Sequence, residues 1–505
     1  MKNQKFAIAA VIVLALAYFA GLLIYSRSRP IDGDEGFYTT AARLVAEGKT
    51  PYQDFFYPQA PLLPYIYALV WSAGGRSLEA MRALSVACGA AAVLVWGLFL
   101  IAAMRLPAKI AFATLVGLLL NPYWISWNVV VKTYALSNLS ISLALVCLYL
   151  ALSRERPKWF FAAGLAMGLT TSVRSLYGPL VPLVLAWMLI RLWRSGKGRY
   201  SQIVLLAAGA MIGLLPITCS FIRDPQLFLF NNVGYHVLWR EAPGSIERLV
   251  GVFFFALRFL TFRCYCLLQI VLSVIGLLTL RRQIRERGAG GEGFLNGYFG
   301  LVALMLATYT AIALTLFPMF DQYFTSPAVP FMIPLVACGI QSVMADGKKR
   351  AALLAMATIA FFPGELWDES YRHSIAPEWQ LSTYHELTKA VEAISAPGDV
   401  VLSFWPGYVF ESGRQYYPGL ENHFAYRLSD KLDEARKARY RIPSRADIAE
   451  AITKRSVKVV VLGGWMQLFF PNLSPEEIEQ IKALVNANYS PVRDVYGVTI
   501  YRRRE

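Results

Sequence analysis

Long apolar segments recur between Phe6 and Pro363, and they constrain the fold more than any other feature of the sequence. The first, Phe6–Ile24, has about 19 residues, enough for a helix to cross the hydrocarbon core of a bilayer. Hydrophobic residues make up 56% of the chain and charged residues only 16%, whereas soluble domains carry about 25% charged residues. We therefore predict a polytopic α-helical membrane protein.

The hydrophobic pattern predicts about eleven transmembrane helices. The predicted spans are Phe6–Ile24, Leu78–Ala103, Ala108–Ser126, Ala135–Ser153, Trp159–Val173, Tyr177–Leu192, Ile203–Ser220, Phe262–Leu280, Leu295–Phe317, Ser326–Met344 and Ala351–Pro363. With this ladder the Lys and Arg clusters between spans all fall on one side, which the positive-inside rule makes cytoplasmic. The net charge of +16 then reflects membrane topology, and no nucleic-acid partner is expected. We expect an inner-membrane protein with a cytoplasmic N-terminus.

The pattern changes near residue 367, where short strands and helices begin to alternate. Val400–Phe404 and Val457–Leu462 have the composition of buried strands, and Ser474-Pro475-Glu476-Glu477 is a capping box that begins a helix. We predict a membrane module over residues 1–366, with a first external loop at 25–77. A soluble α/β domain over residues 367–505 would follow on the outer side.

Three carboxylates lie in the loop after the first span, in the stretch Asp32-Gly33-Asp34-Glu35. A solvated, helix-capping acidic turn is one explanation, and a catalytic carboxylate held at the membrane surface is the other. The stretch from Asp32 to Leu62 resembles the first external loop of the GT-C glycosyltransferases. It is most similar to the bacterial protein O-mannosyltransferase and aminoarabinose-transferase group, whose pattern has an acidic pair, a G-x-x-P-Y-x-D turn and a P-P-L helix entry.

The resemblance implies an integral-membrane enzyme that moves a sugar from a polyprenyl-phosphate carrier to a glycan, lipid or protein acceptor at the outer face. A carboxylate near the acceptor hydroxyl would act as general base, which the resemblance assigns to Asp34. Glu35 is grouped with it as catalytic or as a residue that fixes the loop. One base and one leaving phosphate imply inversion at the anomeric carbon.

The departing phosphate needs cations, and several basic residues lie at the predicted outer ends of spans. Arg174 and Lys132 are the strongest candidates for donor binding, because charge between two apolar runs is costly and tends to be functional. The other basic residues at the predicted outer ends of spans are Arg43, Arg82, Arg27, Arg29, Arg258 and Arg263. For about two-thirds of all eight, snorkelling to lipid headgroups is the alternative.

Further site residues follow from the same resemblance. Gln322 and Tyr323 lie where the family enters a late span, near the expected sugar phosphate, although an interfacial aromatic turn is an equal alternative. His236 is an outer-loop histidine that could meet the donor or simply be solvated. The residues expected to support the first loop are Tyr38, Tyr52, Asp54 and Gln59.

The sequence departs from the family pattern in three places. Pro58-Gln59-Ala60 replaces an acidic-basic pair, Gln322 replaces a basic residue, and Asn128–Asn138 has no carboxylate. The missing carboxylate weakens any inference of a bound divalent metal, so a metal cofactor is possible but not indicated. Two other classes stay open, a polytopic transporter or lipid flippase and a non-catalytic scaffold for envelope assembly. A transporter should show internal repeats, and none is clear.

Overall fold

The computed structural model describes residues 2–195, 199–239, 245–262, 264–286, 297–316, 321–347, 350, 377–463 and 474–505. Up to residue 347 the described chain is helical. The helices of this part are α1 (Lys2–Ser28), α2 (Glu35–Ala46), α3 (Leu62–Ser72), α4 (Leu78–Leu98), α5 (Ala108–Leu119), α6 (Pro122–Trp127), α7 (Thr133–Arg154), α8 (Pro157–Val173), α9 (Leu180–Ser195), α10 (Tyr200–Gly213), α11 (Leu215–Arg223), α12 (Pro225–Leu229), α13 (Tyr235–Trp239), α14 (Ser245–Phe262), α15 (Cys264–Glu286), α16 (Tyr298–Thr315) and α17 (Val329–Met344).

Seven helices of the described chain are long and apolar enough to cross a membrane, and an eighth span is possible if one bent pair counts as a single span. That pair is α10 and α11, which meet at 57° where Pro216 enters the first turn of α11. The predicted count of eleven is not confirmed. Ala108–Ser126 divides into the short helices α5 and α6, because Asn121 caps a new helix that starts at Pro122. Ala351–Pro363 lies outside the described residues.

Helices α8 and α10 pack through glycines spaced four residues apart on each helix. A Cβ atom at Gly164 or Gly168 would collide with the backbone of α10, and one at Gly209 or Gly213 would collide with the backbone of α8. Small residues at this spacing let two membrane helices approach closely. The seam fixes the position of α8, whose C-terminal end carries Arg174.

Residues 377–505, here called the C-terminal region, combine a mixed sheet with short helices. The helices are α18 (Leu381–Ala393), α19 (Gly407–Phe410), α20 (Glu434–Tyr440), α21 (Arg445–Thr453) and α22 (Pro475–Asn488). The strands are β1 (Val400–Ser403), β2 (Gln415–Tyr416), β3 (Val459–Leu462), β4 (Tyr489–Val495) and β5 (Val498–Arg503). Their order is β2-β1-β3-β5-β4, with β2, β1 and β3 parallel and β5 antiparallel to both of its neighbours.

Local sequence signals explain several of these elements. The predicted capping box at Ser474 is confirmed, since its hydroxyl accepts the Glu477 N–H while the Glu477 carboxylate accepts the Ser474 N–H. Tyr496 and Gly497 have φ of 49° and 79°, as the two-residue turn of a tight hairpin requires. The hairpin of β4 and β5 is therefore set by its turn.

The C-terminal region packs directly on residues 29–77, here called the first loop. The two share one hydrophobic core, in which the rings of Trp71 and Phe410 lie 5.2 Å apart. The indole N–H of Trp405 donates to the carbonyl of Gly33 at 2.8 Å, and any Cβ at Gly36 would overlap the same indole. These contacts hold the C-terminal region over the start of α2.

Candidate active site

Lys132 forms salt bridges with two carboxylates of the first loop. Its Nζ lies 2.8 Å from Oδ1 of Asp32 and 2.8 Å from Oδ2 of Asp34. The same Nζ is 3.5 Å from Oε1 of Gln322, at the outer limit of a hydrogen bond. The backbone N–H of Asp34 donates to Oδ1 of Asp32 at 3.0 Å, which fixes the two carboxylates side by side. The structure thus brings together Asp34, Lys132 and Gln322, which lie far apart in the sequence.

The two aspartates have pKa values displaced in opposite directions. Burial raises the pKa of Asp34, and although Lys132 opposes this effect, the negative charge of Asp32 adds to it. Burial also tends to raise the pKa of Asp32, but the charges of Lys132 and Arg29 outweigh it and the pKa is lowered. Because the pKa of Asp34 is raised and that of Asp32 is lowered, Asp34 is the better proton acceptor of the two near neutral pH.

Arg174 follows the last residue of α8, with its backbone extended. Its Nη1 donates to Oγ1 of Thr133 at 2.9 Å, and its guanidinium lies over the rings of Tyr134, at 4.5 Å, and Tyr323, at 5.4 Å. The side chain is buried, and its Nε has no hydrogen-bond partner among the described residues. Arg174 therefore keeps an N–H available to a bound anion.

The ring of Tyr134 connects the two cations of this site. Nζ of Lys132 lies 5.9 Å from the centre of that ring and 4.8 Å from the centre of the Trp127 ring. Arg174 lies 4.5 Å from the centre of the same ring, so both cations contact one aromatic side chain. Two cations beside a carboxylate can hold a phosphate while a proton is taken up next to it.

Glu35 and Arg82 lie close to this site but are fully occupied by each other and by backbone. Arg82 donates through Nε and Nη2 to the Glu35 carboxylate, at 2.9 and 2.5 Å, and Glu35 also accepts the N–H of Val131 at 2.9 Å. Arg82 donates further to the carbonyls of Ser26 and Arg29. Both side chains are buried. The geometry favours the alternative in which Glu35 fixes the loop, and it places Arg82 in an ion pair with Glu35. The pair joins α1, the first loop and α4.

Arg43 is one of the candidates for the donor phosphate, and the structure places it beneath the C-terminal region. Its Nε pairs with Oε1 of Glu47 at 2.7 Å. Its Nη1 donates to the carbonyls of Val409 and Phe410, and its Nη2 donates to the carbonyl of Arg414 at 2.7 Å. The guanidinium is consumed by these contacts, which fasten the C-terminal region to α2.

The motif residues Tyr52, Asp54 and Gln59 build a turn. Tyr52 has φ of 71°, its N–H donates to the carbonyl of Phe55 at 3.0 Å, and its hydroxyl donates to the carbonyl of Gln59 at 2.6 Å. Oδ2 of Asp54 accepts the N–H of Thr50 at 2.7 Å. The geometry explains the family-like pattern here as a requirement of the backbone.

Two other predicted residues, Tyr38 and His236, differ in their distance from the carboxylates of the first loop. Tyr38 lies one helical turn after Asp34, to whose carbonyl its N–H donates at 3.2 Å, and burial and the charge of the Asp34 carboxylate both raise the pKa of its phenol. His236 instead contacts the first loop, with Nε2 3.2 Å from the carbonyl oxygen of Pro58. Tyr38 is therefore near the carboxylates, and His236 supports the loop from outside.

The remaining cation candidates are Arg27, Arg29, Arg258 and Arg263, and the structure describes the side chains of the first two. Arg29 lies near Asp32 and acts on its charge, while Arg27 is exposed at the end of α1. Arg263 and the side chain of Arg258 lie outside the described residues. Within the described ranges, no group of three or more His, Cys, Asp or Glu residues is arranged to hold a metal ion.

Sequence reasoning missed two residues of this site. Asp32 stands two residues before Asp34, and this spacing was a usable signal for a paired carboxylate. Arg427, from the C-terminal region, acts on the charge of Asp34. No local pattern marks Arg427, because only the packing of the C-terminal region on the first loop brings it near Asp34.

Comparison with known proteins bears on the fold and on the enzyme class. Residues 58–219 match the family model of dolichyl-phosphate-mannose-protein mannosyltransferases. The crystal structure of ArnT from Cupriavidus metallidurans in the apo state aligns over 98% of this chain and 98% of that chain, with a TM-score of 0.62 at 14% identity. The same protein bound to undecaprenyl phosphate aligns over 97% of both chains, with a TM-score of 0.60 at 14% identity.

A third structure is less similar. The Saccharomyces cerevisiae protein O-mannosyltransferase Pmt1-Pmt2 complex bound to the sugar donor aligns over 45% of this chain and 34% of that chain, with a TM-score of 0.35 at 20% identity. Among curated protein sequences, none matches the chain significantly. The expected resemblance to the GT-C membrane glycosyltransferases is confirmed: ArnT shares the fold, and the matched family assigns the enzyme class of glycosyltransferase.

Proposed function

We propose that this glycosyltransferase transfers one sugar from a polyprenyl-phosphate carrier to a hydroxyl acceptor, with Asp34 as general base and inversion at the anomeric carbon. The observation that carries the proposal is that Asp34 pairs with Lys132 and that Lys132 and Arg174 both lie against the ring of Tyr134. The binding of undecaprenyl phosphate by ArnT, which has the same fold at low identity, supports a carrier of this type.

In the proposed step, an oxygen of the acceptor attacks the anomeric carbon and its proton passes to Asp34. The bond between that carbon and the phosphate oxygen breaks, and the electron pair leaves with the polyprenyl phosphate. The leaving group thereby gains a negative charge, which cations must stabilise in the transition state. The raised pKa of Asp34 suits a base that works near neutral pH.

The contacts of Lys132 and Arg174 indicate different roles for these two cations. Lys132 is already neutralised by Asp32 and Asp34, so its main effect is to orient the base. Arg174 is held by a hydroxyl and two aromatic rings and retains an unpaired Nε. We assign the donor phosphate mainly to Arg174, with Lys132 at its edge and with Gln322 and Tyr323 beside them.

We further propose that the site faces away from the cytoplasm, in the inner membrane, with the N-terminus cytoplasmic. The positions of the basic clusters support this orientation. The membrane module over residues 1–366 would then bind the carrier lipid, and residues 367–505 would cover the site from the outer side. The acceptor is a hydroxyl-bearing glycan, lipid or protein.

The test uses the full chain in lipid nanodiscs, with a panel of undecaprenyl-phosphate-linked radiolabelled sugars and envelope membranes as the source of acceptor. Asp34→Asn should lower transfer at least about 100-fold, because it removes a general base. Asp433→Asn is the matched control, since Asp433 is an exposed helix cap whose role Asn can also fill. Transfer by Asp34→Asn at the level of this control would overturn the assignment.

Binding of undecaprenyl phosphate tests the phosphate site without any knowledge of the sugar. Arg174→Gln should weaken it about tenfold or more, because a charged hydrogen bond to the phosphate is lost. A wild-type protein that does not bind undecaprenyl phosphate, or an Arg174→Gln variant that binds it normally, would contradict the proposed donor site.

A further inference from the structure

A cleft opens where the C-terminal region meets the turn at Asp54 of the first loop. It encloses about 520 Å³, a size within the range of about 300–1,000 Å³ that small-ligand sites occupy. Its wall includes Asp54, Tyr417, Glu421, Lys437, Ala438 and Arg441. Asp34, Lys132 and Arg174 do not line it, so this cleft, here called the Glu421 cleft, is separate from the candidate active site.

Glu421 is a nearly buried carboxyl in the wall of this cleft, with 9% of its surface exposed. Its Oε2 accepts the N–H of Gly419 at 2.6 Å, and Gly419 has φ of 88°, which a glycine adopts without strain. Oε1 has no hydrogen-bond partner among the described residues, yet it is not enclosed by protein. Because an unmatched polar atom at low exposure is costly, a ligand hydroxyl in the cleft would stabilise this carboxyl.

Charges of both signs surround the Glu421 carboxyl. Arg441 donates from Nε to the carbonyl of Gln53 at 3.1 Å, and its two Nη atoms have no partner in the part of the chain that the structure describes. Asp54 supplies a second carboxylate. The other charged residues of the wall are Lys437, Asp447, Glu450 and Lys454. Burial raises the pKa of Glu421 to about 7, so near neutral pH its carboxyl can donate or accept a hydrogen bond.

Tyr417 adds an aromatic ring to this wall. Its hydroxyl donates to the carbonyl of Asp447 at 3.2 Å, which fixes the ring and leaves its apolar surface for a ligand. An anionic ligand would be repelled by the carboxylates of the cleft, and a cationic ligand would be repelled by its lysines and its arginine. A neutral sugar combines hydroxyl groups, which donate and accept, with a C–H face that packs on an aromatic ring. The composition of the cleft therefore favours a neutral glycan.

One short segment connects the cleft to the start of α2. Glu421 stands two residues before His423, whose ring lies 5.8 Å from the ring of Phe37. Phe37 belongs to the first turn of α2, which begins directly after Asp34. A chain of a few sugars held in the cleft can therefore extend toward the candidate base.

We propose that the Glu421 cleft binds a neutral, hydroxyl-rich glycan, which forms the part of the acceptor remote from the reacting hydroxyl. This inference rests on the proposed function, and it selects a glycan from the acceptor classes named there. Binding at a distance from the reacting atoms holds an acceptor near the base without taking part in the chemical step. The C-terminal region then contributes to recognition of the acceptor as well as to covering the site.

The probe is the neutral oligosaccharide fraction that mild acid releases from the organism's own envelope, separated from the charged fraction by ion exchange. Binding to the full chain in nanodiscs is measured by saturation-transfer difference NMR, without any donor. Binding of undecaprenyl phosphate is measured on the same samples.

Two variants alter the cleft, and a third is the matched control. Ala438→Trp narrows the cleft, because Ala438 is exposed on α20 and lines it. Ala435→Trp is the control, since Ala435 is exposed on the same helix and does not line the cleft. Arg441→Asn removes the two Nη donors, and Asn tolerates the φ of 59° at this position.

Neutral oligosaccharides should bind the wild-type protein and Ala435→Trp equally, and Ala438→Trp should lose the signal. Arg441→Asn should bind them about tenfold more weakly, because hydrogen bonds from a charged donor are lost. Binding of undecaprenyl phosphate should stay within about twofold of wild type in all variants, because the donor site is separate. In transfer assays, Ala438→Trp should raise KM for the acceptor and leave kcat nearly unchanged, as loss of remote binding does.

Four outcomes would overturn the inference. They are absence of neutral oligosaccharide binding by a protein that binds undecaprenyl phosphate, binding confined to the charged fraction, equal binding by Ala438→Trp and Ala435→Trp, and an unchanged KM for the acceptor in Ala438→Trp. Failure of the wild-type protein to bind undecaprenyl phosphate would instead count against the proposed function, since the glycan measurement needs no donor.

Discussion

Asp34 and Glu35 are neighbours in the sequence, yet their side chains differ in exposure and in hydrogen bonding. The Asp34 side chain remains one-quarter exposed and shares a single lysine with Asp32. Glu35 is buried and bound on both oxygens by Arg82 and the backbone. The exposed member can meet a substrate, and the buried member can only hold the loop that presents it.

This division predicts that substitution of Glu35 acts on stability first. Glu35→Gln leaves the buried guanidinium of Arg82 without its counter-charge, which costs about 3–5 kcal/mol of unfolding free energy. We expect a large drop in Tm in detergent, measured by intrinsic fluorescence, together with low expression. Asp34→Asn should keep a near wild-type Tm in the same assay.

A double variant provides the control for this prediction. Glu35→Gln combined with Arg82→Met removes both charges and should recover much of the lost Tm, because no unpaired charge stays buried. A Glu35→Gln variant as stable as the wild-type protein would show that the ion pair does not fix the loop.

At the scale of the elements, His385 joins parts of the chain that are distant in sequence. On α18, its Nε2 lies 2.6 Å from Oε1 of Glu79 at the start of α4, and its Nδ1 lies 3.2 Å from Oε2 of Glu411. Hydrogen bonds that His385 donates to the carboxylates of Glu411 and Glu79 raise its pKa to about 10. The imidazolium therefore stays charged at neutral pH and links the membrane helix to the C-terminal region.

The raised pKa gives a pH-dependent contribution to stability whose sign can be stated. The unfolded chain binds this proton with a pKa of 6.5, and the folded chain binds it with a pKa of about 10. The stabilisation is complete below pH 6.5 and declines as the pH rises to about 10. The difference in Tm between the wild-type protein and His385→Gln should shrink across this window, as followed by thermal unfolding in nanodiscs. A constant difference from pH 6 to pH 10 would contradict the assignment.

Patterns along the sequence were sufficient for elements whose signals are local. The capping box at Ser474 and the first and last long apolar helices of the described chain are of this kind. The number of spans was harder to predict from the sequence. Pro122 interrupts one apolar run between α5 and α6, and Pro216 interrupts another between α10 and α11. Hydropathy averages across such breaks and therefore reports single spans.

Sequence patterns also predicted only part of the candidate site. The motif around Asp34 could be recognised from residue order, and Lys132 and Arg174 stood out as charges between apolar runs. The roles of Arg43 and Arg82 could not be predicted, because a buried arginine and a ligand-binding arginine look alike in sequence. What separates them is whether carbonyl and carboxylate oxygens already consume their N–H groups.

At the scale of the whole molecule, the C-terminal region has one hydrophobic core of its own and shares a second with the first loop. Its residues Trp405, Val409 and Phe410 belong to the same hydrophobic core as Phe37 and Trp71 of the first loop. This core would be exposed to water if the region were cut away, and burial of such surface is the main source of stability.

We therefore predict that a fragment of residues 367–505 will not fold cooperatively by itself. It should bind a hydrophobic dye and lack a sharp thermal transition by near-ultraviolet circular dichroism, whereas the full chain should resist trypsin in the same region. A cooperative transition in the isolated fragment would establish the predicted division at residue 366 as a boundary between independently folding domains.

The fastening of Arg43 to the C-terminal region also sets the order of events during synthesis. The carbonyls that receive its guanidinium belong to residues made 366 to 371 positions later. At elongation rates of about 5–20 residues per second, roughly 20 to 70 s pass between the synthesis of Arg43 and that of the residues whose carbonyls it contacts. Throughout that interval α2 can pack on α3, but the side that later meets Val409 and Phe410 has no cover. The C-terminal region can therefore cover this part of the first loop only after residues 409–414 have been synthesised.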